Sequence, residues 1–254
     1  MKTMCAMAFL AVATFLSCGA GANSFFPEND LGRYDSISAN SSVDEALFNQ
    51  IITAGVDSYA KAEAVQRSEV INVNRLWSNP TVNANVGRTK KYGGEVILNM
   101  YGGLARRKEI TPTGFTIVLC HELGHAYGGL PYVQPLVELS AEGQADFYST
   151  RRCLIRVWER VNTLQKLAAE YENYIENNCV PGDSMCRNGL EGAHGLANLL
   201  AFMGGDDYLP AFETPDPYET PKTILSYPKT PQCRLDTMKA GIFVDPRPRC
   251  WFMP

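Results

Sequence analysis

An α+β domain, with a small antiparallel sheet packed on a mostly helical half and an irregular Pro-rich C-terminal tail, is the fold class this sequence predicts. Three observations predict it. Apolar residues recur with period two between Val70 and Tyr101, helix start and stop signals dominate from Thr111 to Met203, and prolines crowd the stretch after Asp206. A chain of 254 residues fits one domain with appendages and can bury a substantial core.

Composition narrows the partners. The 23 Lys and Arg against 27 Asp and Glu leave a net charge of -4, and no basic stripe is present, which excludes a general nucleic-acid binder. Charged residues at 20% and hydrophobic ones at 45% describe a globular chain.

The elements follow in order. Met1 to Ala22 reads as an export signal, with Lys2 ahead of the apolar run Met4 to Leu16 and a small-x-small site at Ala20-Gly21-Ala22. Overlapping it, Phe15-Leu16-Ser17-Cys18 reads as a permissive lipobox that would make Cys18 an acylated membrane anchor. Either reading places the protein outside the cytoplasm: periplasmic, outer-membrane-associated or secreted. No other run is long enough to span a bilayer. Residues 23 to 41 read as a flexible tether, and residues 42 to 254 as a single domain whose segment 206 to 254 wraps the helical half.

Ser42-Val43-Asp44-Glu45 has the capping-box form and opens a helix into the low sixties, with Leu47, Ile51, Ile52 and Val56 on its apolar side. Val70 to Trp77 is the first strand of the sheet. Val82, Ala84 and Val86 alternate with asparagines in the second, and Glu95 to Tyr101 forms the third, after a turn at Tyr92-Gly93-Gly94. That third strand is the candidate sheet edge, to which an extended peptide could add. Thr111-Pro112 starts a helix that runs through His125 and breaks at Gly128-Gly129. A second helix starts near Val137 or Ser140 and reaches about Asn162, a third covers Thr163 to Glu176 and a fourth Gly189 to Met203. His194 in the fourth reads as a structural residue, with an electrophilic role as the alternative.

Six cysteines lie beyond the signal: Cys120, Cys153, Cys179, Cys186, Cys233 and Cys250. An even count in an exported chain favours disulfides, with fifteen connectivities open to six cysteines. Cys179 with Cys186 would close a small loop, Cys233 with Cys250 would staple the tail, and Cys120 with Cys153 would tie two helices. No Cys-x-x-Cys pair supports a thiolate zinc site.

The chemistry gathers at His121-Glu122-Leu123-Gly124-His125 and Glu142-Gly143-Gln144-Ala145-Asp146. Residues four apart on a helix differ by about 40° in azimuth and about 6 Å in rise, so His121 and His125 share a face and can grip one zinc ion. Glu122 flanks that ion where a general base belongs. Glu142 can supply a third ligand from a second helix, and Asp146, one turn on, can accept the spare N–H of a ligand histidine. Two of the chain's three histidines fall in this otherwise apolar helix, where their polar atoms need partners.

His121 to Asp146 resembles the gluzincin zinc metallopeptidases, and Glu142-x-x-Ala145-Asp146 is similar to their CAAX-prenyl-protease-like branch. Gly93-Gly94-Glu95-Val96-Ile97-Leu98, Gly103-Leu104 and Ser226-Tyr227-Pro228 with Arg234-Leu235 extend the likeness over residues 70 to 236, with tyrosine where the branch carries histidine. The resemblance implies a zincin-like fold and a zinc-dependent endopeptidase with one Zn2+ per chain, acting on protein or peptide substrates. It implies His121, His125 and Glu142 as metal ligands, Glu122 as catalytic base, and Tyr227 as a donor to the developing oxyanion. The rival expectation is a non-catalytic envelope scaffold that uses the same zinc to fix its fold.

Overall fold

The computed structural model describes residues 23–34, 41–161 and 169–254. The expected export signal and Cys18 lie outside them, as does the start of the expected third helix. A two-residue strand β1 (Asn23–Ser24) leads to a 3-10 turn at Leu31–Tyr34. Then come α1 (Glu45–Gly55), a π-helical turn (Val56–Ala60) and α2 (Lys61–Gln66), which run on as one rod. Asp44 caps α1, its carboxylate accepting from the Leu47 amide at 2.8 Å. Ser42, the expected cap, instead donates its hydroxyl to the Ile110 carbonyl.

The sheet follows as β2 (Val70–Leu76), β3 (Ala84–Arg88) and β4 (Glu95–Tyr101), in spatial order β1-β3-β4-β2. Its antiparallel part is β1, β3 and β4, and β2 lies parallel to β4. The strand expected at the edge, β4, is therefore internal, hydrogen-bonded on both sides. Strands β2 and β1 form the edges because the chain crosses over β4 instead of turning back beside β2. Alternate residues Ala84, Val86, Val96, Leu98 and Met100 are buried.

After the short α3 (Gly102–Ala105), the central helix α4 (Pro112–Tyr127) starts as expected, with the Thr111 hydroxyl accepting from the Gly114 amide at 2.9 Å. Every residue from Pro112 to Ala126 is buried. The sheet, α1 and later helices surround α4, so it carries no solvent face. Next come the hairpin β5 (Tyr132–Gln134) and β6 (Leu139–Ser140), then α5 (Glu142–Tyr148), a π-helical turn (Ser149–Cys153) and α6 (Leu154–Val161). The chain continues through α7 (Ala169–Asn178) to α8 (Ser184–Gly204). Helix α8 starts five residues before the expected Gly189 because Asp183 caps it, accepting from the Cys186 amide.

Two further expectations are corrected. The tail holds a thirteen-residue helix, α9 (Pro231–Phe243), capped by Thr230. It buries Gln232, Arg234, Asp236 and Thr237 together with Leu235 and Met238, so it has no amphipathic stripe to read. The expected tether is bound to the domain over residues 23–34. Phe25 and Phe26 are fully buried, and two such side chains gain about 3–6 kcal/mol over remaining in water.

All three expected disulfides form: Cys120–Cys153, Cys179–Cys186 and Cys233–Cys250. Cys120–Cys153 spans 33 residues, a loop whose closure stabilises by about 4 kcal/mol in the chain-entropy view, and it clamps α4 to the turn following α5. Among the described residues no helix is long and apolar enough to cross a membrane. Three disulfides fit an oxidising, non-cytoplasmic setting.

Candidate metal centre

Helix α4 presents His121 and His125 on one face, and the start of α5 brings Glu142 to meet them. That approach needs Gly124: a Cβ there would stand 2.9 Å from the Ala145 carbonyl oxygen and 3.0 Å from its Cα. Gly143 likewise leaves room for the Trp251 indole, which packs on it.

The ring nitrogens divide by role. His121 Nδ1 lies 2.8 Å from Asp146 Oδ1, and His125 Nδ1 lies 2.7 Å from the Ser140 carbonyl oxygen. Each Nδ1–H donates, so in the neutral ring that a metal ion requires the Nε2 atom of each histidine carries the lone pair. Those two atoms face Glu142, His121 Nε2 at 3.4 Å from Oε2 and His125 Nε2 at 3.5 Å from Oε1. Zinc bonds of about 2.0–2.2 Å at tetrahedral angles separate neighbouring donor atoms by about 3.3–3.6 Å. His121, His125 and Glu142 therefore have the separation that one ion requires, and all are buried. His121 Nε2 and Glu142 Oε2 have no hydrogen-bond partner among the described residues, a costly condition for buried polar atoms that a cation removes. The donor set fits zinc.

Electrostatics agree. Burial would lower the His121 pKa, but Asp146 and then Glu142 outweigh it and carry it up to about 9. The pocket thus favours a positive charge at this spot. Burial dominates at His125, down to about 4, and at Glu122, up to about 8. Glu122 is fully buried beside the cluster, and the backbone of Phe25 holds its proton affinity down against that burial.

Asp146 is anchored in turn. Arg234 from α9 grips it side-on, Nε to Oδ2 and Nη2 to Oδ1, both at 2.7 Å. Burial raises Asp146, but Arg234 and His121 outweigh it and hold its pKa down at about 2. Arg234 Nη2 also stands 4.0 Å from Glu142 Oε2, and its Nη1 donates to the Phe25 carbonyl at 2.6 Å.

Tyr227 reaches the neighbourhood of the cluster, where its hydroxyl donates to the carbonyls of Ser24 at 2.7 Å and Phe26 at 3.2 Å. His194 is held elsewhere, between the Pro210 carbonyl at 2.9 Å and Asn198 at 3.0 Å, and against the Tyr171 and Phe212 rings. A second group of potential ligands, Asp216 with Cys233 and Cys250, has both sulfurs in a disulfide and retains one carboxylate.

Sequence reasoning missed Arg88, Ser140 and Asn83. Arg88 is buried, pairs with Glu69 at 3.2 Å and donates to the Ala126 and Glu138 carbonyls, tying β3 to the end of α4. Its position at the end of an apolar alternation was the available signal. Ser140 acts through a backbone carbonyl, which no side-chain pattern reveals.

Compared with protein-family models, with curated proteins and with solved structures, the chain matches none.

Proposed function

We propose that this protein is a zinc-dependent peptide hydrolase of gluzincin type, acting outside the cytoplasm. The observation that carries the reading is the His121, His125 and Glu142 cluster with Glu122 buried beside it. These three residues would hold the ion, and Asp146 with the Ser140 carbonyl sets both histidine tautomers for it. When bound, zinc supplies Lewis acidity toward a carbonyl and makes water a competent nucleophile at neutral pH.

Glu122 accepts the proton of the attacking water and returns it to the departing amine. Burial raises its proton affinity, to about 8 in the metal-free pocket, and a nearby cation draws this back toward neutrality. Once its hydroxyl is released from the Ser24 and Phe26 carbonyls, Tyr227 donates to the oxygen that gains charge in the transition state. Arg234 keeps Asp146 ionised and positioned, so that His121 stays oriented.

Full burial of the cluster favours the second reading, a scaffold with a structural ion. Glu122→Gln separates the two. The variant keeps side-chain size and hydrogen-bonding shape but accepts no proton. It is expected to fold, hold metal and melt near the wild-type temperature while cleaving a peptide library orders of magnitude more slowly. Full activity in Glu122→Gln overturns the base assignment. Wild-type protein that holds zinc and cleaves nothing leaves the scaffold.

A further inference from the structure

The space beside the metal cluster is filled by the chain's own N-terminal residues. β1 pairs antiparallel with β3, Ser24 opposite Asn85, and the next residue continues the pairing, Phe25 N–H donating to the Ala84 carbonyl at 3.1 Å. The Asn83 side-chain amide then takes both backbone groups of Phe26, accepting from its N–H at 3.0 Å and donating to its carbonyl at 3.0 Å. From the opposite side Tyr227 donates to the Ser24 carbonyl and Arg234 to the Phe25 carbonyl. The segment is held along both edges of its backbone, as an added strand is held in a peptide-binding groove.

The side chains are read as well. The Phe25 ring meets the His121 imidazole edge-on, with ring centres 4.7 Å apart, and the Arg234 guanidinium carbon lies 4.3 Å above the Phe25 ring. The Phe26 ring packs edge-on against Phe25 at 4.6 Å. With both rings in place, His121, Glu122 and His125 are cut off from solvent. Where the segment continues through Pro27, Glu28 and Asn29, it borders a cavity of about 370 Å³ whose other walls include Leu200, Met203, Tyr227 and Arg234.

We propose that residues 24–27 occupy in cis the groove in which this protein receives an extended polypeptide, and that the ligand it takes in trans is a strand with consecutive aromatic side chains, added antiparallel to β3. Naming that groove the substrate cleft rests on the hydrolase reading, whereas its occupancy by the chain itself does not. Main-chain contacts accept any sequence, and the Phe25 and Phe26 positions select aromatic side chains. The resting protein is closed by its own chain, and a ligand must displace residues 24–27 to reach the metal cluster.

The probe is a fluorescein-labelled Asn-Ser-Phe-Phe-Pro-Glu peptide, titrated by fluorescence polarisation into the full chain and into the full-chain double variant Phe25→Gly, Phe26→Gly. A tethered occupant competes at an effective concentration in the mM range. The variant is expected to bind at least about tenfold more tightly than wild type, and a probe with both phenylalanines replaced by serine to bind neither. Equal affinity of the two proteins, or no binding to a folded variant, overturns the proposal. Should the variant fail to fold, hydrogen exchange on wild type decides. The Phe25 and Phe26 amides are expected to be protected and to exchange faster when mM probe is added, and unprotected or unresponsive amides overturn the proposal. Metal content and peptide cleavage on the same samples distinguish the two readings. Tighter probe binding without zinc or cleavage refutes the hydrolase and leaves the occupied groove, whereas zinc and cleavage with equal probe affinity do the reverse.

Discussion

The Arg234–Asp146 pair supports a quantitative test. Both side chains are buried, at 2% and 0% exposure, and they meet in two parallel contacts of 2.7 Å. Arg234→Ala removes the guanidinium and leaves a buried carboxylate with His121 as its remaining partner. Breaking such a pair from one side costs about 3–5 kcal/mol. For a chain of this size each kcal/mol moves the melting temperature by about 2–4 °C, so a drop of about 6–20 °C is expected. Arg234→Lys should recover only part of it, because a single ammonium cannot reproduce two side-on contacts and a third to the Phe25 carbonyl. The assays are thermal melting and urea unfolding of metal-free protein, both followed by circular dichroism, on Arg234→Ala, Asp146→Asn and the double variant. The single losses should not add: a coupling energy of about 2 kcal/mol or more is expected for charges in direct contact. Additive losses below about 1 kcal/mol each would refute the idea that this pair braces the metal centre.

Further outcomes follow from the same geometry. His125→Ala should lose the metal, read by elemental analysis of purified protein, because one of three ligands is gone. Unchanged metal content would remove His125 from the ligand set. Tyr227→Phe, measured together with Phe25→Gly and Phe26→Gly so that the groove is clear, should retain zinc and lose roughly 10²–10³ in turnover, the usual effect of one oxyanion donor. Glu191 on α8 has a carboxyl oxygen with no hydrogen-bond partner among the described residues, and burial raises its pKa to about 7. The folded state therefore holds this proton more tightly than the unfolded chain, so stability falls as pH rises from the ordinary carboxylate range through about 7. Glu191→Gln should flatten that fall and raise the melting temperature at neutral pH, whereas an unchanged slope would show that Glu191 ionises freely in the fold.

Local chemistry in the sequence determined much of this protein. The two-histidine spacing of α4, the Thr111-Pro112 start, the alternation of β3 and β4 and the short Cys179–Cys186 loop were all legible. Each depends on a short-range rule: helix pitch, cap geometry, strand period or loop closure. The same rules failed where burial removes periodicity. Helix α9 is buried on most sides and uses Arg234, Asp236 and Thr237 as interior polar groups, so its apolar and polar residues mark no face, although Thr230-Pro231 repeats the Thr111-Pro112 signal.

Tertiary structure decided the rest. Strand order is a long-range property: nothing within Glu95–Tyr101 tells it to sit inside the sheet, between β3 and β2. The partner of Asp146 lies 88 residues away in Arg234, and His125 is oriented by a backbone carbonyl that only the β6 fold brings near. Asn23 to Phe26 looks like tether because its composition is polar at the start and its apolar residues are two. Its place beside His121 depends on contacts more than 50 residues away at Asn83 and more than 200 away at Tyr227 and Arg234. Such contacts form only once β3, α4 and α9 have assembled the groove that buries both phenylalanines.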